Sequence, residues 1–361
     1  MIIEEIHKHF IKSSGICTDT RSINNNCLFF ALKGANFNGN TFVNNAIEKG
    51  AYKVIIDEKE FQNDHSILVH DVLETLQELA TFHRNYLNIP IIALTGSNGK
   101  TTTKELINIV LSKKYNTVAT KGNLNNHIGV PLTLLAMNSN TEIGIVEMGA
   151  NDHKEIELLC KIAKPDYGYI TNFGKAHLEG FGSLEGVIEA KTEMYRYLKS
   201  KKNTVFVNFN DTKQRKHSEG INRYTFGDED QNCIIKLVDA SNEVLLNYQN
   251  TTIQSHLIGQ YNYTNIAASI AIGEFFNVTA QNIKAAIENF IPANNRSQLI
   301  EKGTNRIILD AYNANPSSMM AALENFIQSQ GDQKTVFIGD MFELGTDAEK
   351  EHQNIVSYLE N

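Results

Sequence analysis

Apolar positions along this chain fall into short uninterrupted runs separated by stretches with helical spacing. The runs Ile91–Leu94, Thr117–Thr120, Ile143–Val146, Tyr167–Thr171 and Thr204–Asn208 read as strands. Strands without polar alternation, each followed by a helical segment, are what a parallel sheet covered on both faces requires. The pattern therefore predicts an α/β protein built on a mostly parallel sheet. Upstream, Cys27–Leu32 and Tyr52–Ile56 are strand-like, and Val72–Tyr86 carries apolar residues at helical spacing, which together suggest a separate small α/β unit. Asn88-Ile89-Pro90 breaks the pattern before the first sheet run. From Asp228 to Leu257 the runs shorten and alternate, as in an antiparallel extension. Helices follow from near Asn262 and over Asn282–Phe290. Ile291-Pro292-Ala293-Asn294-Asn295 reads as a second linker, beyond which Arg306–Asp310 and Thr335–Gly339 are again strand-like, each leading into a helix. The predicted domains are thus 1–88, 89–292 and 293–361, the last small for a doubly wound unit and ending in a helix.

Chemistry concentrates where apolar runs end, which is where an open parallel sheet binds its ligand. Ile91-Ile92-Ala93-Leu94 runs into Thr95-Gly96-Ser97-Asn98-Gly99-Lys100-Thr101-Thr102 and then a helix. Glycines let backbone N–H groups face an anion, the helix N-terminus adds partial positive charge, Lys100 reaches the β- and γ-phosphates, and Thr101 offers a hydroxyl to Mg²⁺. The segment therefore marks a nucleoside triphosphate site. Its one departure from the general phosphate-loop pattern is Leu94, where a glycine is usual.

Glu147 closes the run Ile143–Val146 and takes the place of an acidic metal ligand at a strand end. His177 follows the Tyr167–Thr171 strand through a glycine-containing loop on the same sheet edge. Lys191 has Val187, Ile188, Met194 and Tyr195 three or four positions away, so it lies on the apolar face of a helix spanning Leu184–Leu198. Taken alone, that position suits a lysine stem laid along apolar surface. Burial also leaves more neutral amine, which can add CO₂ to form an anionic carbamate. Asn262 and Asn265 precede a helix rich in small residues, where they either cap it or pair with a base edge. Asp310-Ala311-Tyr312-Asn313-Ala314-Asn315-Pro316 again joins a strand to a helix. Its aspartate either holds a ribose hydroxyl or ends the strand.

Composition narrows the class. The formal charge of −8 argues against nucleic acid as the main partner. No run approaches the roughly 20 apolar residues of a membrane span, and Met1-Ile2-Ile3-Glu4-Glu5 is not a signal-peptide start, so the expectation is a cytoplasmic protein without membrane insertion. Cys17, Cys27, Cys160 and Cys233 have no CxxC spacing and suggest neither zinc nor disulfides.

Together these residues resemble the Mur ligase family of peptidoglycan synthesis. The family's loop has the form Thr-Gly-Ser/Thr-x-Gly-Lys-Thr, which Thr95–Thr101 match and which accounts for Leu94. Gly122–Thr133 and Asp310–Pro316 resemble the branch that adds D-alanyl-D-alanine to UDP-N-acetylmuramoyl-tripeptide. The resemblance implies three domains: a UDP-binding one, a central phosphate-loop ATPase, and a Rossmann-like one for the incoming amine. It implies a monomer that uses ATP and Mg²⁺ and forms an amide through an acyl phosphate. Thr95, Gly96, Ser97, Asn98, Gly99, Lys100, Thr101 and Thr102 would hold ATP, with Asn262, Asn265, Arg296, Asp310 and Asn313. Thr20, Arg21, Lys33, Gly34, Asn38, Gly39, Asn125 and Asn126 would hold the UDP-sugar peptide. Thr101, Glu147, His177 and Lys191 would hold Mg²⁺, with Lys191, in Glu189-Ala190-Lys191-Thr192-Glu193, at the family's carbamylated position. The resemblance also implies a larger third domain than residues 293–361 supply. That shortfall keeps open a nucleotide- and UDP-sugar-binding protein without ligase activity. A sister ligase adding a diamino acid or glutamate is the other alternative, and Asn125–Pro131 argue against it.

Overall fold

The structure, a computed structural model, describes residues 2–292, 295–329, 331 and 333–360. Its centre is a nine-stranded sheet. In spatial order the strands are Thr251–Ile258, Glu243–Tyr248, Cys233–Asp239, Asn222–Gly227, Thr204–Asn208, Tyr167–Ile170, Ile91–Thr95, Ile143–Glu147 and Thr117–Ala119. The strands from Cys233–Asp239 to Thr117–Ala119 run parallel, and the first two strands in that order extend them antiparallel. Every residue of Ile91–Thr95 and Ile143–Glu147 is buried, as continuous apolar runs in a two-sided sheet demand. Leu94 pairs with Glu147 and Thr95 with Ile170. These register pairs bring the phosphate loop, Glu147 and the loop after Ile170 to one edge. The chain leaves Ile91–Thr95 toward one side of the sheet and returns on the other, so the loop sits at a topological switch point.

The helix Gln260–Phe275 is buried along most of its length and packs against the helix Lys100–Leu111. Small residues allow this: a Cβ on Gly273 would lie 2.4 Å from Val110 Cγ1.

The first unit has four parallel strands in the order Ile16–Cys17, Leu28–Phe30, Lys53–Ile56 and Ser66–Leu68. Its helix Val72–Leu87 is capped by Asp71 and ends at Asn88 in the left-handed region, two residues before Pro90. This helix joins the unit to the central sheet. Arg84 donates to the carbonyls of Ala163 and Lys164 and pairs with Asp166 at 2.7 Å, while Asp166 also accepts from the Ile91 N–H. His83 is 2 % exposed and bonds Met137 O at 2.9 Å. Because a carbonyl only accepts, His83 Nε2 carries the proton, and His83 Nδ1 accepts from His7 Nε2 at 3.0 Å.

The third region holds an antiparallel hairpin of Gln298–Lys302 and Asn305–Leu309, then helices Pro316–Gln328 and Ala348–Glu360. The helix Pro316–Gln328 begins with a capping box from Asn315 and Ser318 and a proline in its first turn. The expected strand Thr335–Gly339 forms no ladder among the described residues, and Phe337 is 95 % exposed. An apolar run becomes a strand only where it lies along a partner edge, and among the described residues this one pairs with none and leaves Val336, Phe337 and Ile338 exposed. The expected helix Leu184–Leu198 is two helices, Leu184–Lys191 and Glu193–Lys201. At the break Thr192 Oγ1 donates to the carbonyls of Ile188 and Glu189, and the Glu193 carboxylate accepts from the N–H groups of Lys154 and Glu157. The strand Asn222–Gly227 is an addition to the expected elements. Among the described residues no helix is long and apolar enough to cross a membrane.

Burial lowers the pKa of both His7 and His83, and in His7 the neighbouring His83 adds to the effect. A histidine held neutral by the fold stabilises it above the unfolded pKa near 6.5 and ceases to do so as pH falls below that value. The urea midpoint should therefore drop between pH 7.5 and pH 5.5. In His83→Gln, where the amide can still donate to Met137 O, equilibrium unfolding should show a shallower drop.

Candidate active site

The phosphate loop has the backbone its sequence requires. Gly96 and Gly99 have φ of 144° and 77°. A Cβ on Gly96 would lie 2.0 Å from Thr171 Oγ1, and one on Gly99 2.5 Å from Asn265 Oδ1, so both positions demand glycine on two counts. The loop is stitched to the strand end beside it. Thr171 Oγ1 donates to Asn98 O, the Asn98 N–H donates to Asn172 Oδ1, and Ser97 Oγ donates to Gly174 O. Lys100 Nζ donates to the loop's own Gly96 and Ser97 carbonyls at 2.8 and 3.2 Å. Burial holds the Lys100 pKa down, with Glu147 raising it and Arg296 lowering it further.

Glu147 is 1 % exposed. Its Oε1 accepts from Asn125 Nδ2 at 2.8 Å and from Thr101 Oγ1 at 3.3 Å, whereas Oε2 is buried without a partner. Behind it, Lys104 Nζ donates to Thr120 O at 2.6 Å, and Thr120 Oγ1 accepts from the Glu147 N–H at 3.0 Å. Lys191 is 1 % exposed. Its Nζ donates to Ala150 O at 3.1 Å and lies 5.0 Å from the centre of the Phe181 ring. Burial, then the charge of Lys100, push its pKa down to about 7. His177 sits in the left-handed region at φ 52° and bonds Glu343 through Nδ1. Burial lowers its pKa, against an opposing contribution from Glu343.

These groups surround a cleft of about 700 Å³ between the central sheet and the third region. Ser97, Asn98, Gly99, Lys100, Thr101, Thr102, Asn125, Asn126, Glu147, His177, Asn262, Asn265, Arg296, Asp310 and Asn313 all line it. Thr95, Gly96 and Lys191 do not, Lys191 lying behind Ala150, which does line it. Asn262 and Asn265 are tied into a buried chain: Asn262 Nδ2 donates to Ile258 O, Asn265 Nδ2 to Asn262 Oδ1, and Thr103 Oγ1 to Asn265 Oδ1. Asn126 Oδ1 accepts from the N–H groups of Ile128 and Gly129 and so starts the helix Gly129–Leu135. Across the cleft the Arg296 guanidinium lies 3.7 Å from the Tyr312 ring centre, its Nε buried without a partner. Asp310 accepts from the Ser297 N–H, and burial raises its pKa.

Thr20, Arg21, Lys33, Gly34, Asn38 and Gly39 lie on the first unit, away from this cleft. There Asp19 pairs with Arg21, Lys33 with Asp57 and Glu58, and Asn38 Nδ2 donates to Glu58.

Sequence reasoning missed the residues that hold the cleft's two sides together. Asn98 and Asn315 exchange amide hydrogen bonds of 3.3 and 2.6 Å. The Lys175 N–H donates to Ser317 Oγ, and Lys175 Nζ pairs with Glu351 at 2.5 Å. Asn315 carried a visible signal, a capping residue directly before Pro316. Lys175, Glu343 and Glu351 carried none, since a charged residue outside a motif reads as surface.

Comparison with known proteins places this architecture in a class. Residues 94–273 match the Mur ligase middle domain, 295–361 the Mur ligase glutamate ligase domain, and 12–90 the Mur ligase family catalytic domain. The chain belongs to the Mur ligase family. It is 37 % identical over 347 residues to the Bacillus subtilis UDP-N-acetylmuramoyl-tripeptide--D-alanyl-D-alanine ligase, covering 94 % of this chain and 76 % of that protein. The Escherichia coli protein of the same name is 32 % identical, with 96 % and 78 % covered. Among solved structures, MurF from Acinetobacter baumannii superposes with a TM-score of 0.84 at 32 % identity, covering 94 % of this chain and 76 % of that one. MurF from Thermotoga maritima in complex with ADP does so with 0.86 at 28 %, covering 97 % and 82 %.

The Gly96 geometry gives a direct check. Gly96→Ala places a methyl group against Thr171 at a backbone conformation that alanine resists, and should destabilise the chain by roughly 3 kcal/mol, read from the urea midpoint.

Proposed function

We propose that this chain is an ATP-dependent ligase that joins D-alanyl-D-alanine to UDP-N-acetylmuramoyl-tripeptide. The observation that carries the reading is the meeting, in one cleft, of the phosphate loop, the buried carboxylate of Glu147 and third-region residues Arg296, Asp310 and Asn313. The ligase class and the use of ATP follow from family membership. The domain limits 1–88, 89–292 and 293–361 are assigned to UDP-sugar binding, ATP binding and amine binding in turn.

ATP would seat its phosphates against the Ser97–Thr101 backbone and the N-terminus of the helix Lys100–Leu111. Lys100, whose Nζ now satisfies itself on Gly96 and Ser97 carbonyls, would turn to the β- and γ-phosphates. A nearby anion restores the protonated form that burial disfavours. Arg296, with an open Nε, and Asp310 and Asn313 would approach the ATP phosphates or ribose from the third region.

The donor set fits a divalent cation: Glu147 Oε2 is a buried carboxylate oxygen without a partner, which a protein tolerates where a cation completes it. Thr101 Oγ1, Glu147 Oε2, His177 Nε2 and a carbamate on Lys191 would hold Mg²⁺. A carbamate on Lys191 would be a second anionic donor beside Glu147. A Lys191 amine with pKa about 7 is substantially neutral at physiological pH, the form that adds CO₂. When bound, Mg²⁺ offsets charge on the β- and γ-oxygens.

The reaction balances in two transfers. A terminal carboxylate oxygen of the tripeptide bonds to the γ-phosphorus as the bond from that phosphorus to the β–γ bridging oxygen breaks and ADP leaves. The dipeptide amine then bonds to the acyl carbon, phosphate departs with its oxygen, and the amine nitrogen gives up a proton. Two anions must approach each other in the first transfer, so positive charge from Lys100 and Arg296 is needed between them. The acyl phosphate is sensitive to water, and the Asn98–Asn315 and Lys175–Glu351 contacts hold the cleft closed around it.

Lys100→Ala should abolish ATP-dependent ligation while the chain still unfolds in a cooperative transition, read by urea titration. Phosphate release should require both UDP-N-acetylmuramoyl-tripeptide and D-alanyl-D-alanine. Release that needs a different amine would assign the chain to a sister ligase, and none with any amine would leave a binding protein.

A further inference from the structure

The Met341–Gly345 segment of the third region meets the central domain at the His177–Glu179 turn. Glu343 bonds His177 Nδ1 with its carboxylate and accepts from the Glu179 N–H with its own carbonyl at 3.1 Å. The segment is braced for this. Met341 and Leu344 are buried at 4 % and 3 % exposure in the main core, and the Met341 N–H donates to His352 Nε2 at 3.0 Å. Glu343 itself takes the left-handed conformation, φ 59°, which an L-residue holds only where its surroundings over-determine it. Its partner His177 is held in the same region at φ 52°. A side-chain bond and a main-chain bond from one residue, both to a single turn of another domain, define orientation as well as attachment.

The bond has a chemical consequence. A carboxylate only accepts, so Nδ1 of His177 carries the proton and Nε2 keeps its lone pair. His177 lines the cleft, and Phe181 packs edge-on to its ring at 6.4 Å, restricting rotation. Carboxylates that accept from the far nitrogen of a metal-binding histidine fix its tautomer and direct the near nitrogen at the ion.

We propose that Glu343 is a positioning residue for His177: seated from the third region, it selects the Nδ1–H tautomer and presents Nε2 to the divalent cation. The cation site is then complete only when the third region is docked. The cation half of this proposal rests on the reading of His177 as a metal ligand given above, while the tautomer half does not.

Two readouts test it on the full chain. In ¹⁵N-histidine long-range NMR spectra, His177 should show the Nδ1–H tautomer in wild type and in Glu343→Gln, whose amide oxygen still accepts. Glu343→Ala should shift it toward Nε2–H. Mn²⁺ titrated into the protein and followed by EPR should bind about 10- to 100-fold more weakly to Glu343→Ala. Glu343→Gln should recover most of that loss, and KM for D-alanyl-D-alanine should stay within twofold in both variants. The proposal is overturned if Glu343→Ala keeps both the tautomer and the Mn²⁺ affinity of wild type, or if KM for the dipeptide rises while Mn²⁺ affinity holds. A wild-type chain that binds no Mn²⁺ overturns the metal-site reading and the cation half with it, and the NMR result then decides the tautomer half by itself.

Discussion

A carboxylate buried with one oxygen unpartnered is the constraint on which this molecule's organisation turns. Glu147 is almost fully enclosed at the end of a central strand, and its Oε2 meets no donor among the described residues. Isolated, such a group would be strongly unfavourable or would take up a proton. Its surroundings are built to avoid that: Thr101 and Asn125 donate to the other oxygen, Thr120 holds the backbone N–H, and Lys100 brings a cation on the adjoining loop. Glu147 lines the cleft, where a divalent cation would complete the remaining oxygen. Sheet register makes this possible, because Leu94 and Glu147 are paired neighbours and the phosphate loop begins one residue later.

The same electrostatic logic reaches Lys191. A lysine enclosed behind Ala150, facing an aromatic ring and repelled by Lys100, loses part of its preference for the charged form. The break at Thr192 ends the helix that carries it, and Glu193, just past the break, caps the segment that begins at Lys154. The local kink therefore ties the Lys191 helix to the helix that follows Glu147.

Polar side chains bridge the cleft. The amide exchange between Asn98 and Asn315, the Lys175–Glu351 pair and the His177–Glu343 bond connect the domains beside an apolar contact in which Leu323, Met341 and Leu344 join the central core. Of these contacts only Lys175–Glu351 joins two fully charged side chains away from the cleft lining, and its carboxylate is buried while its ammonium is half-exposed. The first unit is attached differently, through His83 on Met137 O and Arg84 on the carbonyls of Ala163 and Lys164, buried contacts suited to a fixed platform.

Local sequence determined the elements whose chemistry is local. The runs Ile91–Leu94, Ile143–Val146, Tyr167–Thr171 and Thr204–Asn208 are strands because nothing but a two-sided sheet can bury them. Gly96 and Gly99 mark a phosphate loop because no other residue takes its backbone, and Asp71 starts a helix by bonding its own third N–H. Thr335–Gly339 has the same apolar look as those strands yet has no ladder, since strand formation depends on a partner edge that the run itself cannot supply. Tertiary structure alone decided that Asn125 supports Glu147, that Asn262 and Asn265 are linked to each other and to Thr103, and that Glu343 reaches His177 across 166 residues of chain. Those are pairings of single polar side chains brought together by register and domain docking, and a side chain's partner at long range leaves no periodicity in the sequence to read.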